Sequence, residues 1–221
     1  YLIGNPKNNF LCAFGSMAIS LARAIAQYIH KKGYKKINLC LNSKHTPIRE
    51  FISLLRLFVE IKNLNQDANI QITILSESGL SYYNKLCKEL KKRELRKVIL
   101  WNLNRYGSWD LDGLIEKIKN IQDITELFKS KYDLFIFPSS NDAVSFLESK
   151  KHMQTRLEKK NKVLCLEKNP KHLQYNLTTC SLDIDLLCKR IANALTGSND
   201  WPKTRKGYIR VPSRIEERVG V

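Results

Sequence analysis

Short apolar runs stopped by polar turns alternate along this chain with longer stretches of helical spacing. Tyr132 to Phe137 is β-branched and aromatic, halts at Pro138 and shows no alternation with polar positions. That pattern predicts a strand buried on both faces. Ser139, Ser140, Asn141 and Asp142 then offer several N-cap side chains ahead of Val144, Phe146 and Leu147, so a helix is expected to start there. Val163 to Leu166 is a second apolar run. A basic segment long enough for a helical crossover precedes it, so the two strands are expected to be parallel and adjacent. A closing helix is predicted from Leu182 to Leu195, with Leu182, Leu186, Ile191 and Leu195 near one face.

The earlier chain reads the same way. Met17 to Lys32 is an alanine-rich helix with a basic last turn, and Gly33 stands where a left-handed C-cap is needed. Ile37 to Leu41 is a strand, and a helix from about Pro47 to Lys62 has proline in its first turn. Ile70, Ile72 and Ile74 alternate with polar residues up to Leu75, which suggests a half-exposed or edge strand. Tyr82 to Lys97 is a mixed-charge helix, Val98 to Trp101 a strand, Asn102 to Trp109 a loop and Leu111 to Asn120 a helix. The expected fold is a three-layer α/β/α domain over residues 1–195, with a mainly parallel, flavodoxin-like or Rossmann-like sheet. Residues 196–221 are expected to form an extended basic C-terminal arm, too poor in apolar surface to fold alone.

Composition narrows the partners. A hydrophobic content of 43% suits a packed core, while a formal charge of +17 exceeds what solubility needs and predicts a polyanionic partner. The expected RNA contacts are Lys7, Lys31, Lys32, Lys35, Lys36, Lys44, Arg105 and Tyr106. Trp201, Lys203, Arg205, Lys206, Arg210 and Arg214 in the arm complete the set, its cations neutralising phosphates and its aromatic ring stacking on bases. Six scattered cysteines, with no two-residue spacing, predict a reducing compartment and no zinc or redox motif. The four histidines lack metal-ligand spacing, so neither metal nor cofactor is expected. No apolar run reaches the ~18 residues a membrane span requires. Beginning at Tyr1, the chain is expected to be processed or incompletely represented.

Order and spacing also resemble the small-subunit ribosomal protein S-two family. Tyr1, Ile3 and Gly4 match its first segment, and Lys44 matches one position of the turn after its first long strand. Arg105, Tyr106, Gly107 and Ser108 fall near its arginine-containing loop. Asn169, Pro170, Leu173 and Tyr175 follow the order of its C-terminal half, although Thr178 to Leu182 stand where the family carries a proline-glycine turn. The resemblance implies a structural constituent of the small ribosomal subunit, bound to rRNA and neighbouring ribosomal proteins, with no catalysis, no membrane and no small-molecule substrate. Divergence, the Lys/Asn/Ile bias and the arm suit a mitochondrial ribosome.

The alternative is a doubly wound enzyme acting on a nucleotide or sugar phosphate. Open α/β sheets bind ligands at the C-terminal ends of their strands. The residues available there are Ser43, His45 and Thr46, then Glu77 and Ser78, then Ser139 to Asp142. No glycine series for a pyrophosphate and no P-loop accompanies them.

Overall fold

The computed structural model describes residues 2–5, 9–13, 17–42, 48–76, 84, 88–89, 92, 96–97, 99–100, 110–129, 131–152, 162–166, 169, 175, 177–196 and 212–217. A small antiparallel pair, β1 (Leu2–Asn5) and β2 (Asn9–Ala13), precedes helix α1 (Met17–Lys32). Gly33 ends α1 as expected: its φ is 70°, its N–H meets the His30 carbonyl at 3.1 Å, and Tyr34 N–H reaches Ile29 O at 3.2 Å. The chain then runs β3 (Lys36–Asn42), α2 (Ile48–Leu64), β4 (Asn69–Leu75), α3 (Leu111–Glu116) and β5 (Lys119–Ile121). A 3-10 turn (Ile124–Lys129) leads into β6 (Leu134–Phe137), α4 (Ser140–His152) and β7 (Lys162–Cys165). The last elements are β8 (Thr178–Leu182), α5 (Ile184–Leu195) and β9 (Ser213–Glu216).

Seven strands form one sheet in the order β5-β4-β3-β6-β7-β8-β9. All neighbours are parallel except β8 and β9, which are antiparallel. From β3 the chain builds outward through β4 to β5, then returns to build the other way from β6. The boundary between β3 and β6 is therefore the point where the winding reverses.

Alternation along the strands feeds two cores. Ile37, Leu39 and Leu41 of β3, Ile72 and Ile74 of β4, and Leu134 and Ile136 of β6 pack with α1, α2 and α3. Cys40, Leu75, Phe135 and Phe137 belong to the second core with α4 and the 3-10 turn. Phe146 of α4 centres that second core, with ring centroids 5.0 Å from Phe128, 4.9 Å from Phe135 and 5.3 Å from Phe137. Central strands that are apolar on both faces need a layer of helix on each side, which produces the three-layer α/β architecture expected from the sequence.

Several local expectations are corrected. β4 is an interior strand, because β5 pairs outside it along Thr73–Leu75. Ile99 and Leu100 are helical; an apolar run this short has no period that separates strand from helix. The predicted helix from Leu111 stops at Glu116, and Lys119–Ile121 is strand. Asp110 caps that helix by accepting from Gly113 N–H at 3.0 Å, and a Cβ on Gly113 would lie 2.3 Å from the Asp110 carboxylate. Within the segment set apart as an arm, Ser213–Glu216 adds β9 to the domain's own sheet. Strand pairing uses backbone groups, so a segment with few apolar side chains can still complete an edge.

Candidate functional site

Two connections leave the winding reversal on opposite faces of the sheet. After β3 the chain passes to α2, and after β6 it enters α4 directly. Ser139 caps α4, its Oγ accepting from Asn141 N–H at 3.2 Å and its carbonyl from Ala143 N–H at 3.2 Å. This places Asp142 in the first helical turn, where a carboxylate is stabilised by the positive end of the helix dipole. Across the boundary, Asn42 at the end of β3 donates from Nδ2 to Asp142 Oδ1 at 3.1 Å. The pair bridges the two strands where they diverge.

A cavity of about 50 Å³ opens beneath this bridge, lined in part by Cys40, Asn42, Thr73, Phe137, Asp142 and Ser145. Asp142 is the one charged side chain in its described lining. Thr73 is 1% exposed, and its Oγ1 has no hydrogen-bond partner among the described residues. A buried hydroxyl left unpaired costs about 1–3 kcal/mol, so this group calls for an incoming donor or acceptor. Ser76, at the end of β4, is also fully buried, with a hydroxyl that has no partner among the described residues. Cys40 is no nucleophile: burial pushes its thiol well above the ordinary value, the Asp142 carboxylate adds to the rise, and Sγ points to Asn38 Oδ1 at 3.4 Å.

Of the residues read as an active site, the structure brings Asp142 into this cavity. Ser140 is buried, and Ser139 serves as the helix cap. Ser43, His45, Thr46, Glu77 and Ser78 lie outside the described residues. Asn42 and Thr73 were not singled out from the sequence. Thr73 did carry a signal, a polar residue in a strand that turns out to be covered on both faces.

The expected RNA contacts fall elsewhere. Lys31, Lys32, Lys35 and Lys36 gather at the opposite, N-terminal end of the sheet, where Lys31, Lys35 and Lys36 are exposed to solvent. Lys32 Nζ pairs with Glu217 at 2.9 Å and lies 5.8 Å from the Tyr28 ring centroid. Arg214, on β9, is exposed with its Nε 3.6 Å from Glu216 Oε1. Lys7, Lys44, Arg105, Tyr106, Trp201, Lys203, Arg205, Lys206 and Arg210 lie outside the described residues. Tyr175, one of the positions carrying the ribosomal resemblance, donates to Glu148 Oε1 of α4 at 2.5 Å.

No family model matches the chain, and no curated protein matches it. Among solved structures it is similar to a periplasmic binding protein/LacI transcriptional regulator from Alkaliphilus metalliredigens complexed with D-xylulofuranose, at 12% identity and a TM-score of 0.49, over 94% of this chain and 64% of that one. A LacI family regulator from Enterococcus faecium with bound ribose is similar at 14% identity and a TM-score of 0.49, again over 94% and 64%. A glucose-galactose binding protein from Geobacillus stearothermophilus is similar at 10% identity and a TM-score of 0.44, over 97% and 65%. The chain thus spans about 64% of the length of the first of these proteins. These matches correct the expected role as a ribosomal constituent, with rRNA and ribosomal neighbours as partners and no small-molecule ligand: the structures found are LacI-type regulators and sugar-binding proteins. The physical reason for the misreading is that strand-turn-helix-strand order is common to all doubly wound chains, so the order carried fold and left function to the site.

Proposed function

We propose that the chain is a binding domain for a small, neutral, polyhydroxylated molecule of the sugar class, held at the strand ends between β3 and β6. The observation that carries this reading is the cavity at the winding reversal, where the Asn42–Asp142 pair and the unpartnered Thr73 hydroxyl line one wall system. A carboxylate and an amide side by side present acceptors and donors at the spacing of vicinal hydroxyls, and a sugar hydroxyl can both donate and accept. The cavity of about 50 Å³ has room for a few hydroxyl-sized groups. It therefore receives the edge of a ligand whose remainder lies over the strand ends.

Charge decides between a neutral sugar and a phosphorylated one. Asp142 offsets the positive end of α4 and repels a phosphate placed against it. The described lining supplies an acid, an amide, a hydroxyl and a protonated thiol, groups that bind hydroxyls without attacking them. This supports binding rather than catalysis.

Calorimetric titration with ribose, xylulose, glucose, galactose and their phosphates tests the reading. At least one neutral sugar should bind, more tightly than its phosphate, and its affinity should fall roughly a hundredfold in Asp142→Ala. Tighter binding of the phosphates, or neutral-sugar binding untouched by the substitution, would overturn it.

A further inference from the structure

The cavity under the Asn42–Asp142 bridge changes character with depth. At its mouth stand Asn42 and Asp142, both half-buried, and the exposed Ser145. Below them the wall is made by Cys40, Leu75, Ile121, Leu127 and Phe137, all buried and all apolar apart from a thiol turned toward Asn38 Oδ1. Thr73 supplies the one hydroxyl at that depth, and its Oγ1 has no partner among the described residues. Strand register sets how deep it lies. Leu75 stands level with Asn42 on one side and Ile121 on the other, while Thr73 stands level with Cys40, one side-chain layer earlier on the same face. Two residues of strand place the Thr73 Cα roughly 6–7 Å below the row that carries Asn42.

A ligand that matches both levels is polar where it meets the mouth, apolar just below it, and carries a single hydroxyl at its tip. A ring hydroxyl is one bond long and stays at the mouth. An exocyclic hydroxymethyl group has the required make-up: a CH₂ for the apolar walls and a terminal hydroxyl that can donate to Thr73 or accept from it. Its size agrees as well. In another protein an apolar cavity of about 150 Å³ takes up the six carbons of benzene, so the cavity of about 50 Å³ here suits roughly two heavy atoms. A second hydroxyl at that depth would be left against apolar side chains with nothing to bond. We propose that the ligand is a sugar bearing a primary hydroxymethyl group, a hexopyranose or a pentofuranose, that it enters with this group first, and that Thr73 reads the primary hydroxyl. Resting on the sugar-binding reading above, this assignment fixes which end of the sugar goes in and which residue selects it.

The test is calorimetric titration of the full chain with glucose, galactose and ribose, with their 6-deoxy or 5-deoxy counterparts, and with D-xylose and L-arabinose, whose pyranose rings lack the hydroxymethyl group. The preferred sugar should bind about fivefold more tightly than its deoxy counterpart, the effect of one neutral hydrogen bond. Xylose and arabinose should bind about twentyfold more weakly than glucose and galactose, because burial of the CH₂ is lost as well. Thr73→Val should abolish the preference for the primary hydroxyl, and Thr73→Ser, which restores a hydroxyl, should keep it. The comparison of sugars on the natural chain decides the matter by itself if the valine variant fails to fold. Equal affinities for a sugar and its deoxy counterpart, tighter binding of the pentopyranoses, or a preference that survives in Thr73→Val would each overturn the hydroxymethyl assignment alone. Binding of none of these sugars would overturn it together with the sugar-binding reading.

Discussion

At the N-terminal end of the sheet, polar groups answer one another. Asp133 takes the backbone N–H of Lys35 at 3.0 Å and of Lys36 at 2.9 Å on one carboxylate oxygen, while its own N–H reaches Lys36 O at 2.7 Å. Lys162 N–H meets Asp133 O at 3.1 Å, and Asn69 N–H meets Lys35 O at 2.7 Å. At the C-terminal end, among the described residues, Thr73 keeps a buried hydroxyl without a partner in the cavity under the Asn42–Asp142 bridge, and Ser76 keeps another at the end of β4. Among the described residues, the lysine-rich end is thus one where a carboxylate and backbone groups answer one another. The opposite end holds the unmet hydrogen-bonding capacity of Thr73 and Ser76, and unmet capacity is what a ligand can use. Density of lysine is a poor guide here, because exposed cations are screened and cost nothing to leave in water.

The sharpest way to break this comparison is to remove one carboxylate from each end. Asp142→Ala should weaken sugar binding by about 3 kcal/mol, roughly a hundredfold, if two charged hydrogen bonds to ligand hydroxyls are lost. Its stability should also fall, by about 1–2 kcal/mol, because the part-buried Asn42 amide loses its acceptor along with the first-turn dipole interaction. Asp133→Ala should separate stability from binding. Leaving the Lys35 and Lys36 amides without their acceptor should cost about 1–2 kcal/mol in denaturant unfolding, with sugar affinity unchanged. If Asp133→Ala lowered affinity as much as Asp142→Ala, the division of labour between the two ends would be wrong.

Much of the scaffold was legible because its signals are local. Gly33 marked the end of α1 by needing a positive φ, and Ser139 to Asp142 marked the start of α4 by cap chemistry. The unbroken apolar run of β6 announced burial on both faces. The site was not legible, because its defining contact joins residues 100 positions apart and depends on which strands become neighbours. Nor was β9. Of Ser213, Arg214, Ile215 and Glu216 only one is apolar, and the strand is held by the β8 ladder and by the Lys32–Glu217 pair just past its end. The +17 charge misled for a related reason: it reports how many lysines face water and says nothing of which end of the sheet lacks partners.

A finer cut asks whether the unmet capacity is reserved for a ligand or is merely a defect. Thr73→Val keeps the shape of the side chain and deletes the unpartnered hydroxyl. In the free protein this should be neutral or stabilising by up to about 1 kcal/mol, since no hydrogen bond is lost. Sugar affinity should fall by about 1 kcal/mol, roughly fivefold. A variant that is more stable and equally tight in binding would show that Thr73 plays no part in recognition.

The smallest effect sits at the lysine-rich end and should appear only in alkali. Burial, then the hydrogen bond that the Tyr34 hydroxyl donates to Tyr28, then the nearby Tyr28 charge push the Tyr34 pKa from 10.0 up to about 12. In the unfolded chain Tyr34 loses its proton near pH 10, whereas in the folded chain it holds it until about 12. Between those values the native state binds more protons than the unfolded one, so stability must fall as pH rises; below pH 10 the contribution is fully present. Tyr34→Phe removes that slope and leaves the slopes from the surrounding lysines in both proteins. Denaturant midpoints measured in steps from pH 9 to 12 should therefore decline more steeply for the natural chain than for the variant. Sugar affinity should show no difference between the two at any pH, because Tyr34 stands at the lysine-rich end of the sheet. Parallel stability curves would mean that the Tyr34 hydroxyl is open to water. That would remove the Tyr28–Tyr34 contact from the groups that hold the end of α1 against the turn before β3.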